Sequence, residues 1–291
     1  MSASHTGYIG RFAPSPSGPL HLGSLLTAVA SYLDARANHG QWLLRLEDID
    51  PPRAQENAEN LIINSITAHG LHWDGDIVWQ SQRSNHYDNA LNQLLHNHDA
   101  YYCSCSRSQL AQYGGIHPNQ CVTPFVTGDA AIRLKIKQPD TNFLDRVQGA
   151  QHYITNQIGD PVLKRRDGLY AYQLAVVVDD AEQHISDIVR GVDLIDATAW
   201  QIHLQRALHL PSIRYLHLPV IVGDDGHKLS KQSFAPAIDN QCAKENLRIV
   251  LAYLQQPTPP EELGIAELLQ WATAHWRVDH IPTQTALPLF G

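Results

Sequence analysis

The start of the chain predicts a strand, a helix and a second strand in immediate succession. Residues 8–12 are apolar or aromatic apart from Gly10 and Arg11, and a Gly18-Pro19 turn follows them. Residues 20–37 then form a long apolar-rich run with small side chains, and residues 41–46 return as a strand. This βαβ order predicts a parallel sheet of the α/β class, with a ligand bound at the carboxyl ends of its strands.

Two short segments of the chain are suited to binding a polyphosphate. His21 stands at the predicted N-terminus of the first helix, a position that favours anions. Much later, a polar loop opens with Gly223-Asp-Asp-Gly226 and carries Lys228 and Lys231, whose ammonium groups can both reach a phosphate chain. Each segment alone is a weak signal. Their order, with α/β patterning between them, indicates ATP binding.

These two segments resemble the signatures of class I aminoacyl-tRNA synthetases, which stand here as His21-Leu-Gly-Ser24 and Lys228-Leu-Ser-Lys-Gln232. The resemblance implies a Rossmann-like nucleotide-binding fold in two halves. It assigns His21, Lys228 and Lys231 to catalysis, and it adds Gly23 and Ser230 to the ATP-binding residues. We expect Mg²⁺ to accompany ATP, because this ion prefers oxygen ligands and bridges phosphates.

Three further segments resemble the glutamyl branch of that family, namely residues 11–18, 46–50 and 176–180. The resemblance implies that Arg11 and Arg190 hold the side-chain carboxylate of glutamate, that Glu47 holds its amino group and that Tyr172 closes the pocket. The pocket would be lined by Arg11, Phe12, Ala13, Pro14 and Ser15. A guanidinium suits a carboxylate because it donates two parallel hydrogen bonds. Without the resemblance, an ion pair between Arg190 and a neighbouring aspartate would be the favoured interpretation.

The chain of 291 residues leaves only a short tail after the second signature. This tail is too short for the anticodon-reading domain of full-length glutamyl-tRNA synthetases. The resemblance is therefore to the short glutamyl-queuosine tRNA(Asp) synthetases. That family implies activation of L-glutamate with ATP and transfer of the glutamyl group to queuosine in the anticodon loop of tRNA(Asp).

Three other functions stay open at the level of sequence. The chain could be a truncated conventional glutamyl-tRNA synthetase that charges the terminal ribose. It could also be another nucleotidyltransferase, although Arg11 and Glu47 together suit an amino acid with an acidic side chain. A non-enzymatic RNA-binding protein with a decayed synthetase fold is disfavoured, because the charged residues of the pocket are all present.

Three of the four cysteines lie close together in the sequence, at Cys103, Cys105 and Cys121. With His117 they form a set suited to a tetrahedral structural zinc ion, since a closed set of four ligands leaves no position for catalysis. The glutamyl-queuosine family implies a zinc-holding insertion here, often with tyrosine as the fourth ligand. By spacing His117 occupies that position, and Tyr113 is the alternative. Cys242 is interpreted as a free thiol.

Composition predicts a globular protein, with 43% hydrophobic and 17% charged residues. The sequence has no long apolar run for a membrane span and no secretory leader, so we expect a cytoplasmic location. A monomer is also expected, although the sequence does not determine the oligomeric state. The net charge of −8 favours contact with a local RNA feature over broad RNA coating. Lys164, Arg165 and Arg166 form a basic cluster that is either an RNA contact or a solvated surface.

Taken together, the predicted fold is a class I synthetase-type Rossmann-like α/β domain with an inserted zinc subdomain and a short helical tail. Residues 1–100 and 167–235 would form the two halves of the catalytic domain. Residues 101–166 would form the insertion, because they interrupt the α/β rhythm, and residues 236–291 would form the tail.

Overall fold

The structure is a computed structural model that describes residues 7–50, 55–118, 121, 126, 128–223, 226, 228–229 and 236–289. Its helices are α1 Leu22–Ala37, α2 Ala58–Ala68, α3 Ser84–His96, α4 Arg107–Leu110, α5 Thr155–Ile158, α6 Tyr172–Glu182, α7 Ile195–Ala207, α8 Ala243–Tyr253 and α9 Ile265–Ala274. Its strands are β1 Ile9–Phe12, β2 Gln41–Leu46, β3 Val78–Trp79, β4 Ala100–Cys103, β5 Ala131–Leu134, β6 Asp140–Asp145, β7 Gly149–Ile154, β8 Val162–Lys164, β9 Asp187–Gly191, β10 Arg214–Leu218, β11 Val220–Val222 and β12 Ala286–Pro288.

A mostly parallel sheet forms the centre of the fold. Strands β1, β2 and β3 are parallel neighbours, and so are β9, β10 and β6, with β7 antiparallel at the edge. Ser186 joins the two groups. Its backbone N–H donates to the Ile9 carbonyl and its Oγ accepts from the Ile9 N–H, both at 2.9 Å. The predicted α/β class is confirmed, and the carboxyl ends of β1, β2 and β9 lie along one side.

Helix α1 lies at the centre of the main hydrophobic core. Leu25, Leu26, Val29 and Leu33 are at most 1% exposed, and they share this core with side chains of β1, β2, α8 and α9. A helix covered on several sides needs no polar face, which explains why residues 20–37 are apolar without strong periodicity. The C-terminal helices therefore pack on the same core as the first βαβ unit.

The chain segment from 101 to 166 contributes to two different sheets. Strands β4, β5 and β8 form a small antiparallel sheet beside the cysteines, whereas β6 pairs with β10 in the central sheet. The proposed division of the chain into domains stays a prediction. Strands β10 and β11 are separate, with Pro219 between them, because proline offers no N–H to a ladder.

A buried carboxylate ties distant parts of the chain together. Asp34, which is 0% exposed, accepts hydrogen bonds from Tyr8 Oη at 2.5 Å and from Trp276 Nε1 at 3.0 Å. Arg146 donates to both of its oxygens, at 2.5 and 2.9 Å. The Asp34 carboxylate therefore connects four parts of the chain: the start of the fold, helix α1, the β6–β7 turn and the C-terminal segment.

Candidate active site

His21 caps the N-terminus of α1. Its Nδ1 accepts from the Ser24 N–H at 3.3 Å, and the Ser24 hydroxyl oxygen accepts from the His21 N–H at 2.9 Å. A side chain on Gly23 would begin 3.2 Å from the His21 ring and 4.0 Å from the Leu229 carbonyl oxygen. Glycine at this position therefore leaves room for the capping ring of His21, and Leu229 lies near the helix N-terminus, where backbone N–H groups favour an anion.

The loop that carries Lys228 and Lys231 lies beside the N-terminus of α1 both at Leu229 and at Ile238. The Leu229 N–H donates to the Ile221 carbonyl at 2.8 Å, and the Ile238 N–H donates to the Leu20 carbonyl at 3.0 Å. Lys228 Nζ bonds Asp193 at 2.6 Å in a pair that is partly exposed on both sides. Ser230 and Lys231 lie outside the described residues. The two segments identified from the sequence thus meet at the carboxyl side of the sheet.

The predicted glutamate-binding residues lie at the ends of the parallel strands. Arg11 lies in β1, Glu47 follows β2, Arg190 lies in β9 and Tyr172 opens α6. Arg11, Glu47 and Arg190 are each less than 9% exposed. Burial raises the pKa of the Tyr172 hydroxyl, which is also influenced by the charges of the other three. These four side chains therefore share one region.

The segment between Arg11 and Ser15 contributes to this region in different ways. Phe12 is buried and stacks on Trp42, with ring centroids 6.3 Å apart, so its side chain belongs to the core. The Pro14 carbonyl accepts from the Glu47 N–H at 3.0 Å and so ties this segment to the end of β2. Ala13 and Pro14 are half-buried and Ser15 is exposed. A pocket contribution of Phe12 would therefore come from its backbone.

Four charged side chains form a buried cluster that is neutral in sum. Asp180 Oδ1 accepts from Arg11 Nε at 3.0 Å and pairs with Arg45 Nη1 at 2.8 Å, while Arg45 Nη2 lies 3.3 Å from Glu47 Oε1. Burial favours a neutral Asp180, but Arg11 and Arg45 outweigh it and hold the pKa of this carboxyl below its usual range. Burial raises the pKa of Glu47 despite the nearby arginines. Sequence reasoning did not assign Arg45 or Asp180, although Asp180 ends the segment 176–180.

Arg190 has a different environment, with neutral hydrogen-bond acceptors only. Its Nε donates to His217 Nε2 at 3.0 Å, and its Nη2 donates to Thr198 Oγ1 at 2.7 Å and to Gln201 Oε1 at 2.8 Å. Its Nη1 is buried and has no hydrogen-bond partner among the residues that the structure describes. Within the described part of the chain, no carboxylate lies at ion-pair distance from Arg190.

The alternative interpretation of Arg190 as an ordinary ion pair is therefore wrong. The two candidate aspartates have other partners, since Asp187 pairs with Arg214 at 2.7 Å and Asp193 pairs with Lys228 at 2.6 Å. A buried cation without a counter-ion is costly, and an anionic ligand removes that cost.

The three cysteines and His117 lie together as the sequence predicts. Their ligand atoms are all within 4.8 Å of one another, and Cys103 Sγ lies 3.3 Å from His117 Nε2. Tyr101 Oη donates to Asp160 at 2.7 Å and lies 3.1 Å from His117 Nδ1. Because the tyrosine proton is directed at Asp160, Nδ1 of His117 carries the ring proton and its Nε2 lone pair faces the thiols.

This donor set fits a structural zinc ion, because zinc prefers thiolate and imidazole ligands in a closed group of four. The alternative ligand Tyr113 is 44% exposed, whereas His117 is 2% exposed, and Cys242 is exposed and not a member of this group.

The basic cluster next to this group is paired with carboxylates. Lys164 bonds Asp88 at 3.0 Å, Arg165 bonds Asp167 at 2.5 Å and Arg166 bonds Asp129 at 3.1 Å. This pattern favours the interpretation as a solvated surface over a bare patch for RNA. In the described part of the chain, no helix has the length and apolar character that crossing a membrane requires.

Comparison with known proteins agrees with this fold. Residues 9–123 and 122–251 match the family model described as tRNA synthetases class I (E and Q), catalytic domain. A glutamate tRNA ligase from Elizabethkingia meningosepticum, solved in complex with its amino acid, superposes with a TM-score of 0.79 at 23% identity. That match covers 96% of this chain and 66% of the other, so the chain spans about two thirds of that protein. The fold and the family model together define a class I tRNA synthetase catalytic domain.

Curated relatives match over nearly their whole length. A glutamyl-Q tRNA(Asp) synthetase of Ectopseudomonas mendocina is 49% identical over 288 residues, covering 97% of this chain and 98% of the relative. One of Photobacterium profundum is 46% identical over 289 residues, covering 98% and 93%. The chain belongs to the glutamyl-Q tRNA(Asp) synthetase family, and it is an enzyme of the ligase type.

Proposed function

We propose that this enzyme activates L-glutamate with ATP and transfers the glutamyl group to queuosine in the anticodon loop of tRNA(Asp). The observation that carries the proposal is the environment of Arg190. A buried guanidinium with neutral acceptors on Nε and Nη2, and with no partner on Nη1 in the described ranges of the chain, is prepared for an anionic ligand. The family and its relatives support glutamate as that ligand.

Recognition of glutamate would use charges at both ends of the molecule. Arg190 and Arg11 would hold the side-chain carboxylate, and Glu47 would hold the α-ammonium group. Tyr172 would cover the bound amino acid. Because these groups are buried, each charge is stronger than it would be in water. Glutamine would leave the charge of Arg190 uncompensated.

Activation would require positioning and charge stabilisation. An α-carboxylate oxygen of glutamate attacks the α-phosphorus of ATP, the bond to the β-phosphate breaks and pyrophosphate leaves. His21 and the N-terminus of α1, with Gly23 allowing close approach, would bind the phosphate chain. Lys228, Lys231 and the Ser230 segment would bring further donors to the charge that develops in the transition state. The exposed pair of Lys228 with Asp193 contributes at most about 1 kcal/mol, so a triphosphate can displace it.

Transfer would follow without a change of site. A nucleophile of queuosine attacks the carbonyl carbon of glutamyl-adenylate, loses its proton, and AMP leaves. Mg²⁺ would accompany ATP, and zinc held by Cys103, Cys105, His117 and Cys121 would stabilise the fold locally without taking part in either step. With these substrates, the reaction belongs in the cytoplasm.

The decisive experiment follows radiolabelled glutamate, with ATP and magnesium, into two tRNA pools that differ only in their content of queuosine. We expect label in the queuosine-containing pool alone. Equal label in both pools would instead indicate a conventional synthetase activity at the terminal ribose. Absence of label together with absence of ATP–pyrophosphate exchange would refute an enzymatic role in glutamate activation.

A further inference from the structure

Three side chains on adjacent strands form a buried row behind the proposed glutamate pocket. Asp145 ends β6, His217 lies in β10 and Arg190 lies in β9, and the last two face each other as Cα partners in the parallel pairing. His217 Nδ1 lies 2.6 Å from Asp145 Oδ2, and His217 Nε2 accepts from Arg190 Nε at 3.0 Å. His217 and Asp145 are at most 2% exposed.

The hydrogen-bond chemistry of this row fixes the protonation of the imidazole. A guanidinium nitrogen can only donate, so Nε2 of His217 must accept and cannot carry a proton. The ring proton therefore lies on Nδ1 and is donated to Asp145. Burial lowers the pKa of His217, which agrees with a neutral ring.

Asp145 is held in place by the backbone. Its Oδ1 accepts from the N–H groups of Val147 at 3.0 Å, Gln148 at 2.8 Å and His217 at 3.2 Å. These donors require an oxygen at that position, and Oδ2 is then directed at the imidazole. The turn after β6 thereby determines which ring nitrogen of His217 is protonated.

The same row determines the orientation of Arg190. With Nε directed at His217 and Nη2 directed at Thr198 and Gln201, the planar guanidinium has no remaining rotational freedom. Its Nη1 is the donor left for a ligand. A neutral imidazole accepts from Arg190 without cancelling the positive charge, so the charge stays available for an anion.

We propose that His217, held by Asp145 as the Nδ1–H tautomer, is a positioning residue that orients Arg190 toward the side-chain carboxylate of glutamate. The inference rests on the proposed function and deepens it. His217 does not touch the substrate, and it acts through the orientation of the guanidinium. It thereby sets the discrimination of glutamate from glutamine.

The first variant to test is Asp145→Asn. Its amide oxygen is required by the three backbone N–H groups, so its amide nitrogen must face His217 and donate to Nδ1. The ring then carries its proton on Nε2, where it opposes the N–H of Arg190, in the way that an inverted tautomer disables other aspartate–histidine pairs. We expect the KM for glutamate to rise about 10- to 100-fold, as for the loss of one charge-assisted hydrogen bond, with a much smaller change in kcat.

Two substitutions of His217 distinguish a role in orienting Arg190 from a role in filling the core. His217→Gln places an acceptor near the former Nε2, and we expect it to keep the KM and the preference for glutamate. His217→Asn retains a donor for Asp145 but does not reach Arg190, so its KM should rise and its preference for glutamate over glutamine should fall. The matched control is His203→Gln, because His203 is also buried but bonds Thr141 and Gln138, outside this row.

The tautomer can be read directly in the full-length wild-type protein by two-dimensional ¹⁵N–¹H NMR of the histidine rings. A proton on Nδ1 of His217 supports the inference, and a proton on Nε2 overturns it even where a variant fails to fold. Equal KM values for the Gln and Asn variants would also overturn it. Wild-type protein that shows no glutamate-dependent ATP–pyrophosphate exchange would instead refute the proposed function and leave the NMR result to decide the positioning role.

Discussion

Replacing Asp180 with asparagine tests whether the buried charge cluster holds the site together. Asp180 is 2% exposed and lies between Arg11 at 3.0 Å and Arg45 at 2.8 Å. The asparagine side chain has the same shape but carries no charge. Because Arg11 and Arg45 both contact Oδ1, the amide oxygen can still accept both hydrogen bonds, but without the negative charge that strengthens them. The cluster would then hold two cations against Glu47 alone.

The expected loss of stability is about 3–5 kcal/mol, which is typical when one partner of a buried ion pair is removed. Complete loss of two hydrogen bonds to charged groups, at about 1.5–3 kcal/mol each, would cost about 3–6 kcal/mol, so their weakening is compatible with this range. A natural domain is stable by about 5–15 kcal/mol, so Asp180→Asn should remain folded in water but with a reduced margin. With a urea m-value of about 3 kcal/mol/M, the unfolding midpoint should fall by roughly 1–2 M.

Urea unfolding followed by tryptophan fluorescence measures this loss. The matched control is Asp129→Asn, because Asp129 is 62% exposed and pairs with Arg166 on the surface. The control should lose no more than about 1 kcal/mol. If Asp180→Asn is no less stable than the control, the reasoning that the cluster depends on Asp180 is refuted.

Three further predictions concern the substrates and the metal. Burial raises the pKa of Glu47, so on acidification it loses its negative charge at a higher pH than an ordinary glutamate does; the KM for glutamate should rise as the pH falls through that raised pKa, whereas Glu47→Gln should show a high KM without that dependence. Cys103→Ser should abolish the zinc content measured by atomic absorption, whereas Cys242→Ser should retain it, and equal contents would contradict the proposed ligand set. Lys228→Ala should raise the KM for ATP, whereas Asp193→Asn, which releases the lysine from its ion pair, should not; a raised KM in both would indicate that the pair itself is required.

Local patterns in the sequence were sufficient for the first βαβ unit. Strand β2 begins and ends where the pattern predicts, at Gln41–Leu46, and α1 begins after the predicted capping residue. Helix α6 was not predicted, because Leu174–Val178 is a continuous apolar run and periodicity cannot distinguish a buried helix from a buried strand in such a run. The pairing of β6 with β10 was also not predicted, since contacts between distant strands have no local signal.

Part of the proposed glutamate site could be predicted, because its charged residues stand in or after strands in the order that the family resemblance implies. Arg11, Glu47 and Arg190 were identified by resemblance, and the structure brings them together. The contribution of His217 was missed because its two partners come from other strands. The alternative interpretation of Arg190, an ion pair with a neighbouring aspartate, was wrong, since Asp187 lies three residues earlier on the strand and therefore on the opposite face.

The buried carboxylate of Asp34 has a consequence for the synthesis of the protein. Its partner Trp276 is 242 residues further along the chain. At translation rates of about 5–20 residues per second, Asp34 leaves the ribosome roughly 10–50 s before that indole exists. Helix α1 can form early, but the core around it also needs α8 and α9, which are made last. The core around the first βαβ unit is therefore complete only after the C-terminal helices have been translated.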